Sequence, residues 1–143
     1  MYVREIMTPR PATIMAGQSL AEAVEKMKVK QCKHLPVISD DGHVIGILSD
    51  RDCRSALASP YTLNEDYNAD ELARMLTVRK AMSFAPITTQ PDKLVSDAAQ
   101  LMLDQKISSL PVMIGETLLG ILTTTDILRA FVIQNQRTTA KTD

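Results

Sequence analysis

Apolar residues recur along the chain with two periods, and the change from one period to the other predicts the elements. Two segments place apolar residues at i, i+3, i+4 and i+7, the spacing that puts a stripe on one face of a helix. One set is Leu20, Ala23, Val24 and Met27, and the other is Val95, Ala98, Ala99 and Met102. A capping-box sequence, Ser19 to Glu22, precedes the first stripe and predicts where that helix begins.

Short apolar and β-branched runs predict strands before and after each helix. These runs are residues 12–15, 35–38 and 44–48 in the first half and 87–90, 110–114 and 117–122 in the second. Asp41-Gly42 and Gly115-Glu116 are turn sequences, so each of the last two runs in a half should form a hairpin. Further helices are expected over 50–57 and 124–134, which gives the order β-α-β-β-α twice.

The chain repeats itself at a period of about 75 residues. With an offset of 75, ten of the 35 positions from Val3 to Val37 are identical, including Met7/Met82 and the Leu-Pro-Val runs at 35–37 and 110–112. After a one-residue deletion, Gly46-Ile47-Leu48 aligns with Gly120-Ile121-Leu122 and Asp52 with Asp126. The sequence therefore predicts two copies of one unit.

One such unit would expose an apolar sheet face, which a second copy can cover. We therefore expect an α/β (α+β) fold in which two β-α-β-β-α repeats pack sheet to sheet about a pseudo-twofold axis. The predicted divisions are repeat 1 at 1–57, a connecting segment at 58–77, repeat 2 at 78–135 and a polar, frayed tail at 136–143. The connecting segment should hold a loop around Ser59-Pro60 and a short helix capped at Asn68.

Composition and charge exclude several classes of function. The 143 residues carry 16 Lys and Arg against 17 Asp and Glu, for a net charge of −1, and only 3% are aromatic. This balance argues against nucleic-acid binding and against attachment to an anionic membrane. There is no signal-peptide pattern and no apolar run long enough for a membrane span, so a cytoplasmic protein is expected.

Cysteine and histidine are too sparse for most catalytic or metal chemistry. Cys32, Cys53, His34 and His43 are the whole set, and none of the spacings matches a zinc site or a known nucleophile motif. Buried, reduced thiols are the favoured interpretation of both cysteines. The prediction is that the chain is not an enzyme and holds no metal; a subunit using Cys32 and His34 is the least favoured alternative.

The sequence Gly-x-x-Ser/Thr-x-x-Asp occurs at matching places in both repeats. It runs from Gly46 through Ser49 to Asp52, and from Gly120 through Thr123 to Asp126. A helix should begin at each hydroxyl residue; its free amides suit phosphate, and the carboxylate suits the hydroxyls of a ribose. The glycine would let a base or a backbone approach closely. Ser/Thr-x-x-Asp is also a helix capping box, but the repetition of the motif and the use of Asp rather than Glu favour a ligand.

Together these motifs resemble the tandem CBS domains known as a Bateman module, over about residues 3–57 and 78–133. The narrower resemblance is to the CBS part of acetoin-utilisation-type bacterial proteins. The resemblance to tandem CBS domains implies a regulatory, ligand-sensing module. Such a module would bind adenine nucleotides (AMP, ADP or ATP) in clefts between the repeats and signal by conformational change. No cofactor is required, and Mg²⁺ would enter only with the nucleotide. The implied partners are the adenosyl ligand, a second copy in a homodimer and an unknown regulated protein in trans, with no nucleic acid and no membrane.

The resemblance also implies which residues hold the ligand. Asp52 and Asp126 would bind ribose, Ser49 and Thr123 ribose or phosphate, and Thr13 and Thr88 would help to hold the nucleotide. Adenine would rest on the Leu-Pro-Val runs. In the family the residues just before Leu-Pro are often basic and contact phosphate; Lys33 and His34 match this pattern, whereas Ser108 and Ser109 do not. Arg51 stands in the first turn of a helix, where an acid would suit the dipole better, and a phosphate partner would explain it. The full predicted set is Thr13, Lys33, His34, Leu35, Pro36, Val37, Ser49, Arg51, Asp52, Thr88, Ser109, Leu110, Pro111, Val112, Thr123 and Asp126.

The two predicted sites differ in charge. Lys33, His34, Arg51 and Arg54 belong to the first, whereas the second has hydroxyl and apolar residues at these positions. Because each added phosphate adds negative charge, the Asp52 site should prefer ADP or ATP and the Asp126 site AMP. Two alternatives stay open: a structural or dimerisation module with empty clefts, and a binder of S-adenosylmethionine or NAD.

Overall fold

The structure is a computed structural model that describes residues 1–58 and 67–141. The helices are α1 Val3–Ile6, α2 Leu20–Lys30, α3 Asp50–Ala58, α4 Ala69–Met75, α5 Val78–Ala81, α6 Val95–Gln105 and α7 Thr124–Ala140. The strands are β1 Thr8–Pro9, β2 Ile14–Met15, β3 His34–Ile38, β4 Val44–Ser49, β5 Ser83–Phe84, β6 Ser109–Ile114 and β7 Thr117–Thr123. The predicted loop at Ser59-Pro60 lies outside the described residues.

The chain forms two compact units that do not follow the order of the sequence repeats. Residues 12–86 form one unit, and residues 1–11 together with 87–143 form the other. Each repeat begins with a short helix and a two-residue strand that pair with the later part of the other repeat. The repeat boundaries at 1–57 and 78–135 remain a division of the sequence, and the units are a division in space.

The unit formed by residues 12–86 contains a four-stranded sheet in the order β2-β3-β4-β5. β3 and β4 form the predicted hairpin, and Gly42 at its turn has a φ of 84°, a left-handed conformation that favours glycine. β2 runs parallel to β3, and β5 pairs with the outer edge of β4. Leu20, Ala23 and Met27 of α2 pack on the sheet with Leu35 and Leu48, as the helical stripe predicts, while Val24 is exposed.

The other unit contains a three-stranded sheet in the order β1-β7-β6. The segment predicted as a strand at 87–90 is reduced to one parallel bridge between Thr89 and Val112. Its hydrogen bonds run from Thr89 N to Pro111 O and from Met113 N to Thr89 O. The next donor in this ladder would be residue 91, which is a proline without an N–H, so the pairing ends there. Val3 of α1 lies in this core beside Ala98, Met102, Leu110 and Leu122.

Helix ends agree with the sequence patterns, with one correction. Ser19 and Glu22 form the predicted capping box of α2, and the Asn68 side chain accepts a hydrogen bond from Glu71 N at the start of α4. The prediction of a frayed tail is wrong over its described part, since α7 continues to Ala140. In its last turns, threonine hydroxyls donate to the carbonyl four residues earlier, from Thr138 Oγ1 to Gln134 O and from Thr139 Oγ1 to Asn135 O.

The α/β class predicted from the sequence is confirmed: the described residues form two sheets and seven helices. Among these residues, no helix is both long and apolar enough to cross a membrane.

Candidate functional site

The two faces of the first sheet differ in what they can contact. On β3, Leu35 and Val37 point into the core and are fully buried, so strand alternation places His34 and Pro36 on the opposite face. His34 lies opposite Ser49 in the hairpin register. Ile14 pairs with Val37 in the core, which puts Thr13 beside Pro36 on the other face. We call Thr13, His34, Pro36 and Ser49 the first site face.

The same arrangement recurs on the second sheet. Ser109 lies opposite Thr123, and Pro111 lies two residues along β6 on the same face. Thr89 is buried and bridges Val112, so the exposed Thr88 lies on the face of Pro111. We call Thr88, Ser109, Pro111 and Thr123 the second site face.

At the edge of the first site face, β4 passes directly into α3 through a capping box. Ser49 N donates to Asp52 Oδ2 at 2.8 Å, and Asp52 N donates to Ser49 Oγ at 3.0 Å. Within the part of the chain that the structure describes, Asp52 Oδ1 has no hydrogen-bond partner. The carboxylate therefore caps the helix with one oxygen and keeps the other for a further donor.

The second repeat builds a closely similar junction between β7 and α7. Asp126 Oδ2 accepts from Thr123 N at 2.8 Å and from Thr123 Oγ1 at 2.9 Å. Asp126 N donates to Thr123 Oγ1 at 3.3 Å, and Arg129 Nη1 lies 3.8 Å from Asp126 Oδ1. The argument that Asp instead of Glu disfavours capping is therefore wrong, since Asp at this position reaches the amide in both repeats. The predicted contact with ribose stays a prediction.

The apolar residues predicted to contact adenine divide between two roles. Leu35, Val37, Leu110 and Val112 have no exposed surface and belong to the cores of their units. Their side chains hold the strands in register. Pro36 and Pro111 lie on the site-face side of their strands, but they are also fully buried. A ligand contact by the four core residues would have to come from their backbone.

The predicted cations of the first site also divide. Lys33 comes just before β3, and strand alternation places it on the same side of the sheet as Leu35. There it lines a groove between α2 and α3 with Asp50 and Arg54. Arg54 is paired with Asp50 at 2.6 Å. His34 is therefore the predicted cation that shares the face of Ser49, while Arg51 is exposed in the first turn of α3. Of the four predicted cations, strand register therefore places only His34 on the first site face.

The glycine of each motif is explained by a close backbone approach. A Cβ on Gly46 would lie 2.5 Å from Ser83 O, and a Cβ on Gly120 would lie 2.8 Å from Thr8 O. The sulfur atoms of Met82 and Met7 lie 3.1 Å and 2.6 Å from the same two positions. The absence of a side chain at Gly46 thus lets β5 pack beside β4, and the absence of one at Gly120 lets β1 pack beside β7.

Sequence reasoning missed these two edge strands. Ser83 pairs with Ile47 and Thr8 pairs with Ile121, so both hydroxyl residues lie next to a site face. The signal was present in the repeat alignment, because the matches Val3/Val78 and Met7/Met82 precede the first predicted strand of each repeat.

The two cysteines lie on the helical side of the first sheet, away from its site face. Burial raises the pKa of Cys53 to about 11, with the charges of Asp52 and Asp50 adding to the effect. Burial also raises the pKa of Cys32. Both thiols are protonated at neutral pH, which disfavours a nucleophilic role. Among the described residues, no group of three or more His, Cys, Asp or Glu side chains is placed to hold a metal ion.

The chain matches a known family and several known proteins. The family model described as the CBS domain matches residues 3–59 and 78–133. A CBS domain-containing protein of Dictyostelium discoideum is 31% identical over 129 residues, which cover 90% of this chain and 89% of that protein. A homoserine O-acetyltransferase of Methanohalobium evestigatum is also 31% identical over 129 residues, but the match covers only 24% of its length.

Solved structures share the fold. The CBS domain pair of protein MJ0100, in complex with 5'-methylthioadenosine and S-adenosyl-L-methionine, is 27% identical with a TM-score of 0.79, and the match covers 94% of this chain and 98% of that one. CBSX2 in complex with AMP is 27% identical with a TM-score of 0.74, at 94% and 98% coverage. A putative acetoin utilization protein of Vibrio cholerae, at 24% identity, 98% and 96% coverage and a TM-score of 0.77, shows the same fold.

Proposed function

Since the chain belongs to the CBS domain family and carries the domain twice, we propose that it is a regulatory module that binds an adenosyl ligand at each site face. The observation that carries the proposal is the repeated junction of strand, hydroxyl residue and capping Asp, found beside Pro36 in one unit and Pro111 in the other. Two relatives at 27% identity are described in complex with AMP, or with S-adenosyl-L-methionine and 5'-methylthioadenosine.

The local chemistry favours a nucleoside over a simple anion. Asp52 has one capping oxygen and one oxygen that accepts no hydrogen bond from the described residues, so it can take a ribose hydroxyl without losing the helix cap. Hydroxyl groups at Thr13 and Ser49 supply neutral donors and acceptors on the same face. Pro36, on the same face, is fully buried, so it would contact a base only in a conformation that exposes it.

Regulation would follow from a population shift. A ligand that binds one conformation of the chain better than another moves the equilibrium toward it, by no more than its difference in affinity. A partner in trans would then recognise the favoured conformation. AMP, ADP and ATP are the proposed effectors, and S-adenosylmethionine and NAD are the alternatives.

Isothermal titration with AMP, ATP, NAD and S-adenosylmethionine tests the proposal. Asp52→Asn and Asp126→Asn keep a side-chain oxygen for the cap but remove the charge, so each should weaken binding at its own site by about 1–3 kcal/mol. Asp50→Asn is the matched control, because Asp50 lies in the same helix turn as Asp52 but faces the α2–α3 groove. Unchanged affinity in both test variants, with earlier melting, would mean that the two Asp residues serve only as caps.

A structural or dimerisation module is the second candidate, and the capping boxes favour it. Both hydroxyl residues and both Asp residues already have a role within the fold, which needs no ligand. The two candidates separate in a thermal-shift screen, because only a binder gains stability with ligand concentration.

We also propose that the chain forms a homodimer. Three large apolar side chains on α6 and α7 are mostly exposed: Leu103 at 72%, Leu128 at 65% and Phe131 at 64%. Exposed apolar surface of this kind is typical of a protein–protein contact. Sedimentation velocity should show a dimer, and Phe131→Ser should shift it toward monomer. A wild-type chain that stays monomeric at high concentration would contradict this.

A further inference from the structure

We infer that the groove between α2 and α3 is a second kind of binding site, which takes a small organic anion with an apolar body. The groove lies in the unit formed by residues 12–86, on the helical side of its sheet. It has a volume of about 370 Å³, within the usual range of ligand pockets. The inference does not depend on adenosyl binding at the site faces.

The floor of the groove is apolar. Met27 and Cys53 belong to the core of the unit, and Cys32 and Leu57 pack against it at the two sides. Because burial keeps both thiols protonated at neutral pH, the floor carries no negative charge. A hydrocarbon chain or an aromatic ring would find apolar surface here.

The rim of the groove is cationic. Lys28, Lys33 and Arg54 line it together with Asp50. Asp50 is already paired with Arg54 at 2.6 Å, and within the described residues neither Lys28 nor Lys33 forms an ion pair. Two ammonium groups beside an apolar floor would attract a carboxylate or sulfonate joined to an apolar body.

The second repeat shows that the fold does not require these cations. At the positions that correspond to Lys28, Lys33 and Arg54 it has Leu103, Ser108 and Leu128. The helices form in both repeats, so the cationic rim is a property of the first repeat alone. A role in binding would explain why Lys28 and Lys33 lie beside one apolar depression.

Titration with 1-anilinonaphthalene-8-sulfonate, an aromatic sulfonate that fluoresces when bound, tests the inference. One molecule should bind per groove, and Lys28→Gln or Lys33→Gln should each raise the Kd about three- to tenfold by removing a charge partner. Lys30→Gln is the matched control, since Lys30 is exposed on α2 but does not line the groove. The neutral analogue N-phenyl-1-naphthylamine should bind more weakly and should not respond to either substitution.

A second readout locates the bound sulfonate. It should slow alkylation of Cys32 by iodoacetamide, because Cys32 is partly accessible and lines the groove. Saturation with AMP should leave the sulfonate affinity unchanged, whether or not AMP itself binds. Equal effects of all three lysine substitutions, equal binding of the neutral analogue, or no protection of Cys32 would overturn the inference. Release of the sulfonate on self-association would also overturn it, because the groove would then be a contact between copies.

Discussion

At the scale of single residues, the glycines of the two motifs have a structural role that is independent of any ligand. The nearest atom to a Cβ on Gly46 would be a backbone oxygen of the edge strand, which cannot rotate away as a side chain can. Gly46→Ala and Gly120→Ala should each lower the free energy of unfolding by about 1–3 kcal/mol, the usual cost of overpacking.

Gly17→Ala provides the control for this prediction. No atom lies within 4 Å of the position of its Cβ, and its φ is outside the left-handed region. In denaturant unfolding, the free energy of unfolding of Gly17→Ala should therefore stay unchanged or rise by roughly 0.4–1 kcal/mol, because alanine reduces the conformational entropy of the unfolded chain. Equal losses in all three variants would show that the edge strands do not approach the glycines as described.

Cys53 predicts a dependence of stability on alkaline pH. The pKa of the folded thiol is about 11, above the value of about 8.5 in an unfolded chain. The protonated thiol therefore makes its full contribution to the stability of the folded chain below about pH 8.5. This contribution is lost as the pH rises through 11. The advantage of the wild-type chain over Cys53→Ala should shrink over this range by up to about 2–3 kcal/mol.

Urea unfolding between pH 8 and pH 10.5 measures this effect, with Cys32→Ala as a control at a more accessible thiol. A difference between wild type and Cys53→Ala that stays constant with pH would contradict the prediction, since other titrating groups cancel in the comparison.

The roles of individual residues were only partly predictable. The hydroxyl and Asp of each motif were placed correctly at a helix start, because capping depends on local spacing. Lys33 and His34 were grouped by their adjacency in sequence, but neighbours in a strand point to opposite faces. The Leu-Pro-Val run was likewise treated as one contact surface for adenine, although alternation separates Leu35 and Val37, which are buried in the core, from Pro36.

At the scale of elements, the helices and hairpins were predictable. The segments α1–β1 and α5–β5, each of which packs against the hairpin of the other repeat, were not; we call these the exchanged segments. The stripes of α2 and α6 and the turns at Gly42 and Gly115 are local signals that a single segment carries. The strands β1 and β5 have two residues each, too few for a period, and their partners are far away in sequence. Only the repeat alignment marked these segments.

A pair of equivalent substitutions tests the exchange. Val3 and Val78 occupy the same position in the two repeats and are fully buried, but Val3 lies with β6 and β7 and Val78 lies in the core that contains β3 and β4. Each Val→Ala change should cost about 2 kcal/mol by removing buried methyl groups. Hydrogen exchange should then show lower protection in 109–123 for Val3→Ala and in 34–49 for Val78→Ala.

Each variant serves as the control for the other. Protection lost in the hairpin of the same sequence repeat, rather than in the hairpin of the other repeat, would contradict the exchanged arrangement. Equal losses in both hairpins would mean that the two units unfold together, and the assignment of each valine to one core would then have no separate energetic consequence.

At the scale of the whole molecule, the chain has two chemically different kinds of region. The site faces combine hydroxyl residues, proline and a capping Asp, and they occur in both repeats. The α2–α3 groove combines lysines with an apolar floor and occurs with these residues in the first repeat only. We therefore assign the adenosyl ligand to the site faces, which occur in both repeats. The organic anion is assigned to the α2–α3 groove, which has its lysines in the first repeat only.

Binding of adenosyl ligands at the site faces can be tested by hydrogen–deuterium exchange with and without saturating AMP or S-adenosylmethionine. We expect slower exchange in 34–38 and 49–53 of the first repeat and in 109–113 and 123–127 of the second, with residues 24–32 along the groove unchanged. Ligand binding that leaves all four segments unprotected, or that protects only residues 24–32, would contradict it.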